Sequence, residues 1–516
     1  MKEKIFAILS VAAVLASCTA DIDDCPAVPE QPIATKNCLA VVSFTVPQTG
    51  TESDAPSARG ARTPYKATAE NADKDSLNLS FPAENKLDGV VLYLYNAQSG
   101  NFSDSVHVSH LKSEGVHSGN TMRFSSDSIR LDAGEYRVYA VANTTIAAKD
   151  MSTERALLGT VLSGRSIVSV VPDGGIVMTN RGNSAVTVNV TPNSVSLIDI
   201  SLERAVAKVE VGKRHDSYVL RDKAGNAYAR ITPGSFYFVN LSRDFYLFRH
   251  VGKFDKNVTP TAEAYAWSMD NFGAIPDADG YLVDPHFFDK RWDKSNSFDG
   301  ASVFDNALTD IARTGNQYSS TLFPATDSYT KSYILENANF WTAQREGYTT
   351  GMVIRSVLTP EKSRCFDESG NNVDPQAVSG LYYFNYAFYT SLDAVKTIGG
   401  GNIPTGSVTT DELYCKYSIK YFPIDDKSLY PCYYKHWIKH FDNGDNRKVG
   451  VMEYGVVRNN WYRITIADVA GLGYGTVNVE PTRPVEEDNV LLVDYKVTPW
   501  EYRPDDAVLT KSHSRR

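Results

Sequence analysis

The stretch Cys38-Leu-Ala-Val-Val-Ser-Phe-Thr-Val46 decides the fold. It is rich in valine, and its alternation sets Val42, Phe44 and Val46 on one side. A period of two in β-branched and aromatic residues predicts a β-strand with one face in a hydrophobic core. We therefore expect this first strand to belong to a sheet.

The residues after this strand predict an exposed loop. Residues 47–64 are small and polar, contain prolines at both ends, and include Arg59 and Arg62. Segments with so little to bury lie at the surface, where proteases cut. One interpretation is a core strand joined to its domain by a loop that an Arg-specific protease severs. The other is an ordinary first strand followed by a flexible linker.

The first residues of the chain predict an export signal. A charged start precedes an apolar run at residues 5–16, which is too short to span a bilayer. The run ends in Leu15-Ala-Ser-Cys18, and small residues before a cysteine are typical of a bacterial lipobox. In that case residues 1–17 are removed and Cys18 carries the lipid; a plain secretory signal is the alternative. Thr19, where retained lipoproteins usually have aspartate, favours the outer membrane.

Composition and strand signals predict an all-β protein. The chain has 516 residues, 30 of them tyrosine, with a net charge of -9, which argues against nucleic acid as a partner. Short alternating stretches such as residues 134–143 and 184–191 are separated by turn residues. We expect two β-sandwich or Greek-key-like domains with few short helices, at residues 63–200 and 201–516.

The last strand signal alternates as clearly as the first. It reads Val490-Leu-Leu-Val-Asp-Tyr-Lys-Val-Thr-Pro-Trp500. One face is apolar and the other is polar. The apolar face consists of Leu491, Val493, Tyr495 and Val497, and the polar face of Asp494, Lys496 and Thr498.

Cysteines and histidines indicate neither a disulfide framework nor catalysis. Beyond residue 62 the cysteines are Cys365, Cys415 and Cys432, an odd number, although a Cys415–Cys432 bridge remains open. His436 and His440 are four apart but lack the glutamate of a zinc-protease motif. With no nucleophile motif or phosphate loop, we expect no catalytic residues, no metal and no cofactor. The abundant aromatic residues leave a surface glycan-binding lipoprotein as an alternative.

Several motifs, in this order along nearly the whole chain, resemble those of the fimbrillins. These are the type V pilus subunits of anaerobic Gram-negative gut and oral bacteria, and the resemblance is closest to the major subunit of the minor-fimbrium type. Besides the lipobox and the arginine loop, the motifs are Gly134-Glu-Tyr-Arg-Val-Tyr-Ala-Val-Ala-Asn143, Arg204-Ala-Val-Ala-Lys208, Tyr333-Ile-Leu-Glu-Asn337 and Val457-Arg-Asn-Asn-Trp-Tyr462.

The resemblance implies a palmitoylated lipoprotein precursor that is cut after its first strand and polymerises by strand donation. Residues 18–62 would be the propeptide, with cleavage after Arg62 or, alternatively, Arg59. Loss of the first strand would open an apolar groove, and the segment near residues 489–502 is the candidate donor for a neighbouring copy. The implied partners are further copies, accessory and anchor subunits and the maturation protease. The expected destination is the outer membrane and then an adhesive surface fimbrium, as a shaft subunit or, alternatively, as a tip or accessory subunit.

Overall fold

The structure is a computed structural model of the full chain. It describes residues 37–47, 82–117, 121–163, 175–253, 280–287, 289–290, 303–308, 310, 320–339, 344–440, 449–450, 452–477, 480–485 and 490–499. All statements below about structure concern these residues.

The strands before residue 205 belong to the N-terminal part of the protein. Their bounds are β1 Cys38–Pro47, β2 Val90–Asn96, β3 Phe102–Val108, β4 Lys112–His117, β5 Thr121–Ser125, β6 Ile129–Leu131, β7 Gly134–Ala142, β8 Val161–Leu162, β9 Met178–Asn180, β10 Val186–Val190 and β11 Val195–Arg204.

The remaining strands form the C-terminal part. Their bounds are β12 Ala207–Lys213, β13 Tyr218–Arg221, β14 Ala227–Val239, β15 Leu241–Ser242, β16 Phe245–Tyr246, β17 Val251–Lys253, β18 Gly280–Leu282, β19 Phe304–Asp305, β20 Thr321–Leu322, β21 Tyr329–Ile334, β22 Gly351–Pro360, β23 Cys365–Phe366, β24 Gly380–Phe384, β25 Ala387–Tyr389, β26 Lys420–Pro423, β27 Tyr430–Trp437, β28 Asn460–Val469 and β29 Leu491–Pro499.

The described α-helices are short, and a Thr or Ser side chain caps the N-terminus of each. The Thr409 side chain accepts from the backbone N–H of Glu412, and the Glu412 carboxylate accepts from that of Thr409. None of the described helices is both long and apolar enough to cross a bilayer. The α-helices are α1 Glu154–Leu158, α2 Leu392–Thr397 and α3 Thr410–Tyr417; 3-10 turns lie at Pro82–Asn85, Ala148–Met151, Arg181–Asn183, Lys362–Arg364 and Pro375–Ala377.

Ten of the described strands build the sheet of the N-terminal part, in the order β3-β2-β7-β9-β11-β1-β5-β4, with β10 against β7 and β6 against β1. Strand β11 joins its two halves, because residues 195–201 pair with β1 and residues 202–204 pair with β9. The inward side chains of both halves, among them Phe44, Leu92, Tyr139 and Ile198, share one core.

In the C-terminal part, two sheets enclose a second core. One has the order β21-β12-β28-β29, and the other has the order β13-β14-β22-β27 with β20 against β14. Val209 and Ile464 of the first sheet share a hydrophobic cluster with Phe236 and Ile354 of the second, as in a β-sandwich. A smaller sheet, β23-β25-β24-β26, extends this core. The predicted all-β class with few short helices is confirmed.

The two parts meet where β11 ends and β12 begins. Strand β11 runs to Arg204, so the sequence-predicted boundary after residue 200 lies inside it. The next two residues, Ala205 and Val206, are fully buried in the first core, and Ala207 opens the second. The link between the parts is therefore short and packed on both sides.

Candidate functional site

Strand β1 lies inside the sheet of the N-terminal part, with neighbours on both edges. It pairs in parallel with β11, from Leu39 opposite Val195 to Thr45 opposite Ser201. On its other edge it pairs antiparallel with β6 over residues 38–40 and with β5 over residues 43–47. Between these two partners, Ser126 bonds the backbone of Val42, accepting from its N–H at 3.1 Å and donating to its carbonyl at 2.9 Å. Losing β1 would therefore leave unpaired backbone groups on three strands, β11, β5 and β6.

The inward face of β1 is part of the core. Ala40, Val42, Phe44 and Val46 are all 0 % exposed. Phe44 lies between Phe124 of β5 and Ile200 of β11 in the strand register. Full burial of a large apolar side chain is worth about 1.5–3 kcal/mol, so a slot left by β1 would be strongly unfavourable until another apolar strand filled it. The structure thus places the three side chains predicted from the alternation together, on one buried face.

The outward face of β1 carries a polar contact across three strands. Ser43 Oγ donates to the Asp199 carboxylate of β11. From β5, Arg123 Nη2 reaches over β1 to lie 3.1 Å from Ser43 Oγ and 3.0 Å from Asp199 Oδ1. Arg123 also lies 3.5 Å from the Glu114 carboxylate of β4. These side chains therefore form a polar cluster at the middle of β1, on the face opposite the core.

Unlike β1, which is paired on both edges, β29 is an edge strand and pairs with β28 alone among the described strands. Leu491 is buried, and Val493 and Tyr495 are partly buried against the second core. The Tyr495 ring contacts those of His436 and Tyr462, with centroids 5.8 and 6.3 Å apart. Burial raises the pKa of Tyr495 well above its usual value. Val497 lies opposite Tyr462 in the register, and its side-chain surroundings fall outside the described part.

On the polar face of β29, one ion pair holds the strand to its own chain. Asp494 pairs with the Arg214 guanidinium just beyond β12. Both groups are about a third exposed, and such pairs contribute little to stability. Among the described residues, β29 is thus held by one ladder and by an ion pair that is about a third exposed, whereas β1 is paired along both edges.

The other sequence-predicted sites have separate outcomes. Cys18, Arg59 and Arg62 lie outside the described residues. No disulfide joins Cys415 and Cys432: Cys415 is exposed, and Cys432 is buried with its Sγ 3.5 Å from the Tyr434 hydroxyl. The described residues contain no group of three His, Cys, Asp or Glu side chains that could hold a metal ion.

Three of the motifs behind the family resemblance converge at the junction of the two parts. Arg458 Nη2 lies 2.6 Å from Glu336 Oε2, with both side chains essentially unexposed. The same guanidinium donates to the carbonyl of Leu247 at 2.8 Å. Nearby, Asn459 accepts from the backbone N–H of Arg204 and donates its own N–H to the carbonyl of Val206. The motifs therefore tie the link between the two parts to β28.

A second buried cluster surrounds the turn at Pro82–Asn85. The Glu84 carboxylate lies 3.2 Å from Lys208 Nζ and accepts from the Tyr333 hydroxyl at 2.6 Å, while Arg204 Nε donates to the Glu84 carbonyl. Burial lowers the pKa of Lys208. Sequence reasoning did not assign these residues a role. The available signal was the presence of charged residues within apolar strand stretches, since a buried charge needs a partner.

Comparison with known proteins gives matches at both ends of the described chain. Residues 40–204 match the family described as "Major fimbrial subunit protein (FimA)". Residues 429–506 match the family described as "Major fimbrial subunit protein type IV, Fimbrillin, C-terminal". No curated protein matches the chain.

Solved structures similar to this chain share little sequence with it. A proposed cell adhesion protein of Parabacteroides distasonis has 12 % identity and a TM-score of 0.40, over 89 % of this chain and 97 % of that one. A proposed cell adhesion protein of Bacteroides eggerthii has 12 % identity and a TM-score of 0.37, over 90 % and 98 %. The tip fimbrial protein Mfa3 of Porphyromonas gingivalis, truncated at its C-terminus, has 9 % identity and a TM-score of 0.35, over 89 % and 100 %.

Proposed function

We propose that this chain is a shaft subunit that polymerises by protease-triggered strand exchange. It belongs to the fimbrillin family of fimbrial subunits, whose family models match its residues 40–204 and 429–506. In this proposal, cleavage after Arg62, or after Arg59, separates β1 from the rest of the subunit. The groove that β1 leaves then takes up β29 of a neighbouring copy. A head-to-tail polymer follows because every subunit has one groove and one donor.

The observation that carries the proposal is the position of β1. Its core face is fully buried and both of its edges are paired, so its departure creates a slot with an apolar floor and unpaired backbone on each side. Such a slot binds an extended peptide by strand addition, in which backbone bonds supply affinity and alternate side chains supply specificity. While β1 is in place the slot is filled, so the precursor is held as a monomer.

The edge position of β29 supports its role as the donor. Its release breaks one ladder, with β28, whereas β1 has three, with β11, β5 and β6. Its apolar face, Leu491, Val493, Tyr495 and Val497, offers large side chains for the slot. The chain thus has both halves of the exchange, which favours a shaft subunit over a tip subunit, since a tip needs only the groove.

The remaining parts of the proposal concern export and partners. Lipidation at Cys18 would hold the precursor at the outer membrane, and cleavage of the propeptide would free it for incorporation into a surface fimbrium that supports adhesion. The partners would be further copies of this chain, accessory and anchor subunits, and the Arg-specific maturation protease. We assign no catalytic role and no cofactor to this chain.

The test uses the precursor without its signal peptide, treated with an Arg-specific protease and examined by N-terminal sequencing, size-exclusion chromatography and electron microscopy. We expect one cut, at Arg62 or Arg59, followed by fibres. The matched control replaces both arginines by lysine, which preserves charge and removes the cleavage site; this variant should stay intact and monomeric.

A second variant, cut normally but lacking residues 490–516, should form no fibres and should stop the growth of wild-type fibres by occupying one end. A complete cut that leaves the wild-type chain monomeric would contradict the proposal. Fibre growth by the deletion variant alone would show that the donor lies elsewhere.

A further inference from the structure

Strands β1 and β29 carry the same pattern on both of their faces. Residues 39–46 read Leu-Ala-Val-Val-Ser-Phe-Thr-Val, and residues 490–497 read Val-Leu-Leu-Val-Asp-Tyr-Lys-Val. Both are apolar at the first four, the sixth and the eighth positions and polar at the fifth and seventh. The aromatic residue stands at the sixth position in each, as Phe44 and Tyr495. Alternation alone would require a match on the inward face only.

The outward face of the groove also changes from apolar to polar along its length. Opposite Leu39 and Val41, strand β11 presents Val195 and Leu197, which are 53 % and 71 % exposed. From Asp199 onward its outward residues are polar. Together with Leu39, which is 37 % exposed, Val195 and Leu197 make the outward surface apolar beside the start of β1.

We propose that the donor strand enters the groove in the direction of β1, parallel to β11, with Tyr495 in the place of Phe44 and Asp494 in the place of Ser43. This inference rests on the proposed strand exchange. In this register Val490 and Leu492 lie beside the exposed Val195 and Leu197, as Leu39 and Val41 do now. Both faces of the donor then meet surfaces of their own polarity.

Insertion in the opposite direction, with the aromatic residues still matched, is disfavoured by two buried positions. Pro499 would take the place of Ala40, and Glu501 that of Cys38, which are 0 % and 3 % exposed. Proline has no N–H for the ladder, and a buried carboxylate without a partner is costly.

A shift of two residues in the parallel direction is disfavoured by the outward face. In one shift Asp494 would lie beside Leu197, and in the other Leu492 would lie between Arg123 and Asp199. Only the matched register avoids both mismatches.

The matched register also gives Arg123 a new ion pair. Its guanidinium lies 3.1 Å from Ser43 Oγ and 3.0 Å from Asp199 Oδ1, so it would contact both Asp199 and a carboxylate in the place of Ser43 and would offset the repulsion between the two. Asp494 would exchange its present partner Arg214 for Arg123 of the neighbouring subunit. In the matched register the donor places Leu491 where β1 has the smaller Ala40. The groove therefore has to widen at this position to admit the larger side chain.

Cysteine cross-linking tests this register. In a Cys415→Ser background, protease-matured fibres of Asp199→Cys/Asp494→Cys, Asp199→Cys/Lys496→Cys and Asp199→Cys/Leu492→Cys are oxidised with diamide. Denaturing gels then show whether neighbouring subunits have been joined into ladders. The matched parallel register predicts a ladder with the Asp494→Cys pair. A ladder mainly with the Lys496→Cys pair means either the opposite direction or the two-residue shift that brings Asp494 beside Leu197. A ladder mainly with the Leu492→Cys pair means the other two-residue shift, and equal ladders in all three mean no fixed register; each overturns the inference.

A charge exchange covers the case in which the cysteine variants fail to assemble. Arg123→Glu should slow polymerisation about two- to fivefold at low salt, the effect expected of an exposed ion pair. Adding Asp494→Lys should restore the rate, and an equal or slower rate in the double variant overturns the inference. Failure of the strand exchange itself would differ, because the parent with only Cys415→Ser would then form no fibres at all.

Discussion

Replacing Phe44 by alanine in the uncut precursor should weaken the hold of β1 without changing the fibre that forms after cleavage. The reason is that Phe44 lies in the segment that maturation is proposed to remove. Its contribution therefore belongs to the precursor alone. The substitution destabilises the uncut precursor and is absent from the cut subunit. It therefore distinguishes the role of β1 in keeping the groove closed from the folding of the rest of the subunit.

The magnitude follows from the burial of this side chain. Phe44 is 0 % exposed and lies between Phe124 and Ile200, so its truncation leaves a cavity in a packed core. Substitutions of this kind cost about 3–5 kcal/mol. At the lower value, the opening equilibrium of β1 shifts by about two powers of ten. Thr45→Ala is the matched control on the same strand: it truncates the adjacent outward side chain and should change the free energy by about 0.5 kcal/mol or less.

Hydrogen exchange measured by mass spectrometry on the peptides that contain β1 and β11 reports this opening directly. We expect much faster exchange in Phe44→Ala than in Thr45→Ala or the wild type. Fibres made from fully cut Phe44→Ala protein should match wild-type fibres in thermal stability. Wild-type exchange rates in the Phe44→Ala precursor would refute the locking role of β1, and a weakened fibre would show that β1 stays in the polymer.

Three further predictions concern the C-terminal part. Burial lowers the pKa of His436 to about 4, so between pH 6.5 and 4 the unfolded chain binds a proton that the folded chain does not. This group should lower the stability by about 2 kcal/mol from pH 7 to pH 5, in addition to the contribution of buried His250, whose pKa is also lowered by burial, and urea unfolding of His436→Gln should lack the His436 part of the pH dependence. Arg458→Met leaves the buried Glu336 carboxylate without its guanidinium partner and should lower the free energy of unfolding by about 3–5 kcal/mol. Adding Glu336→Leu should recover part of this loss. Equal melting temperatures of the single and double variants would contradict this. Maleimide should label Cys415 in the native protein and Cys432 only after unfolding, and peptide mapping that finds Cys432 labelled under native conditions would contradict the structure.

The local elements were within reach of sequence reasoning. Alternation over eight or nine residues is a property of neighbours in the chain, and it identified the strands that became β1 and β29 and the buried face of β1. The all-β class followed from the same signal repeated along the chain. Family resemblance then supplied the cleavage and donor roles, which remain proposals.

The buried junction was beyond that reasoning. Arg458 and Glu336 are 122 residues apart, and Lys208 and Glu84 are 124 apart, so no local pattern links either pair. The motifs containing Arg458 and Lys208 were visible as resemblance, but their shared location came only from the pairing of β12 with β28. Their charges resist burial unless they meet a partner, and only the folded chain shows which partner that is.

The sequence by itself determined the periods, the faces and the matching pattern of the first and last strands, because these depend on the order of side chains alone. The tertiary structure decided that β1 is enclosed between β11 and β5 whereas β29 stands at an edge. Sheet order arises from pairing between segments far apart in the chain, and that pairing is selected by the burial of whole faces in a shared core rather than by any single stretch.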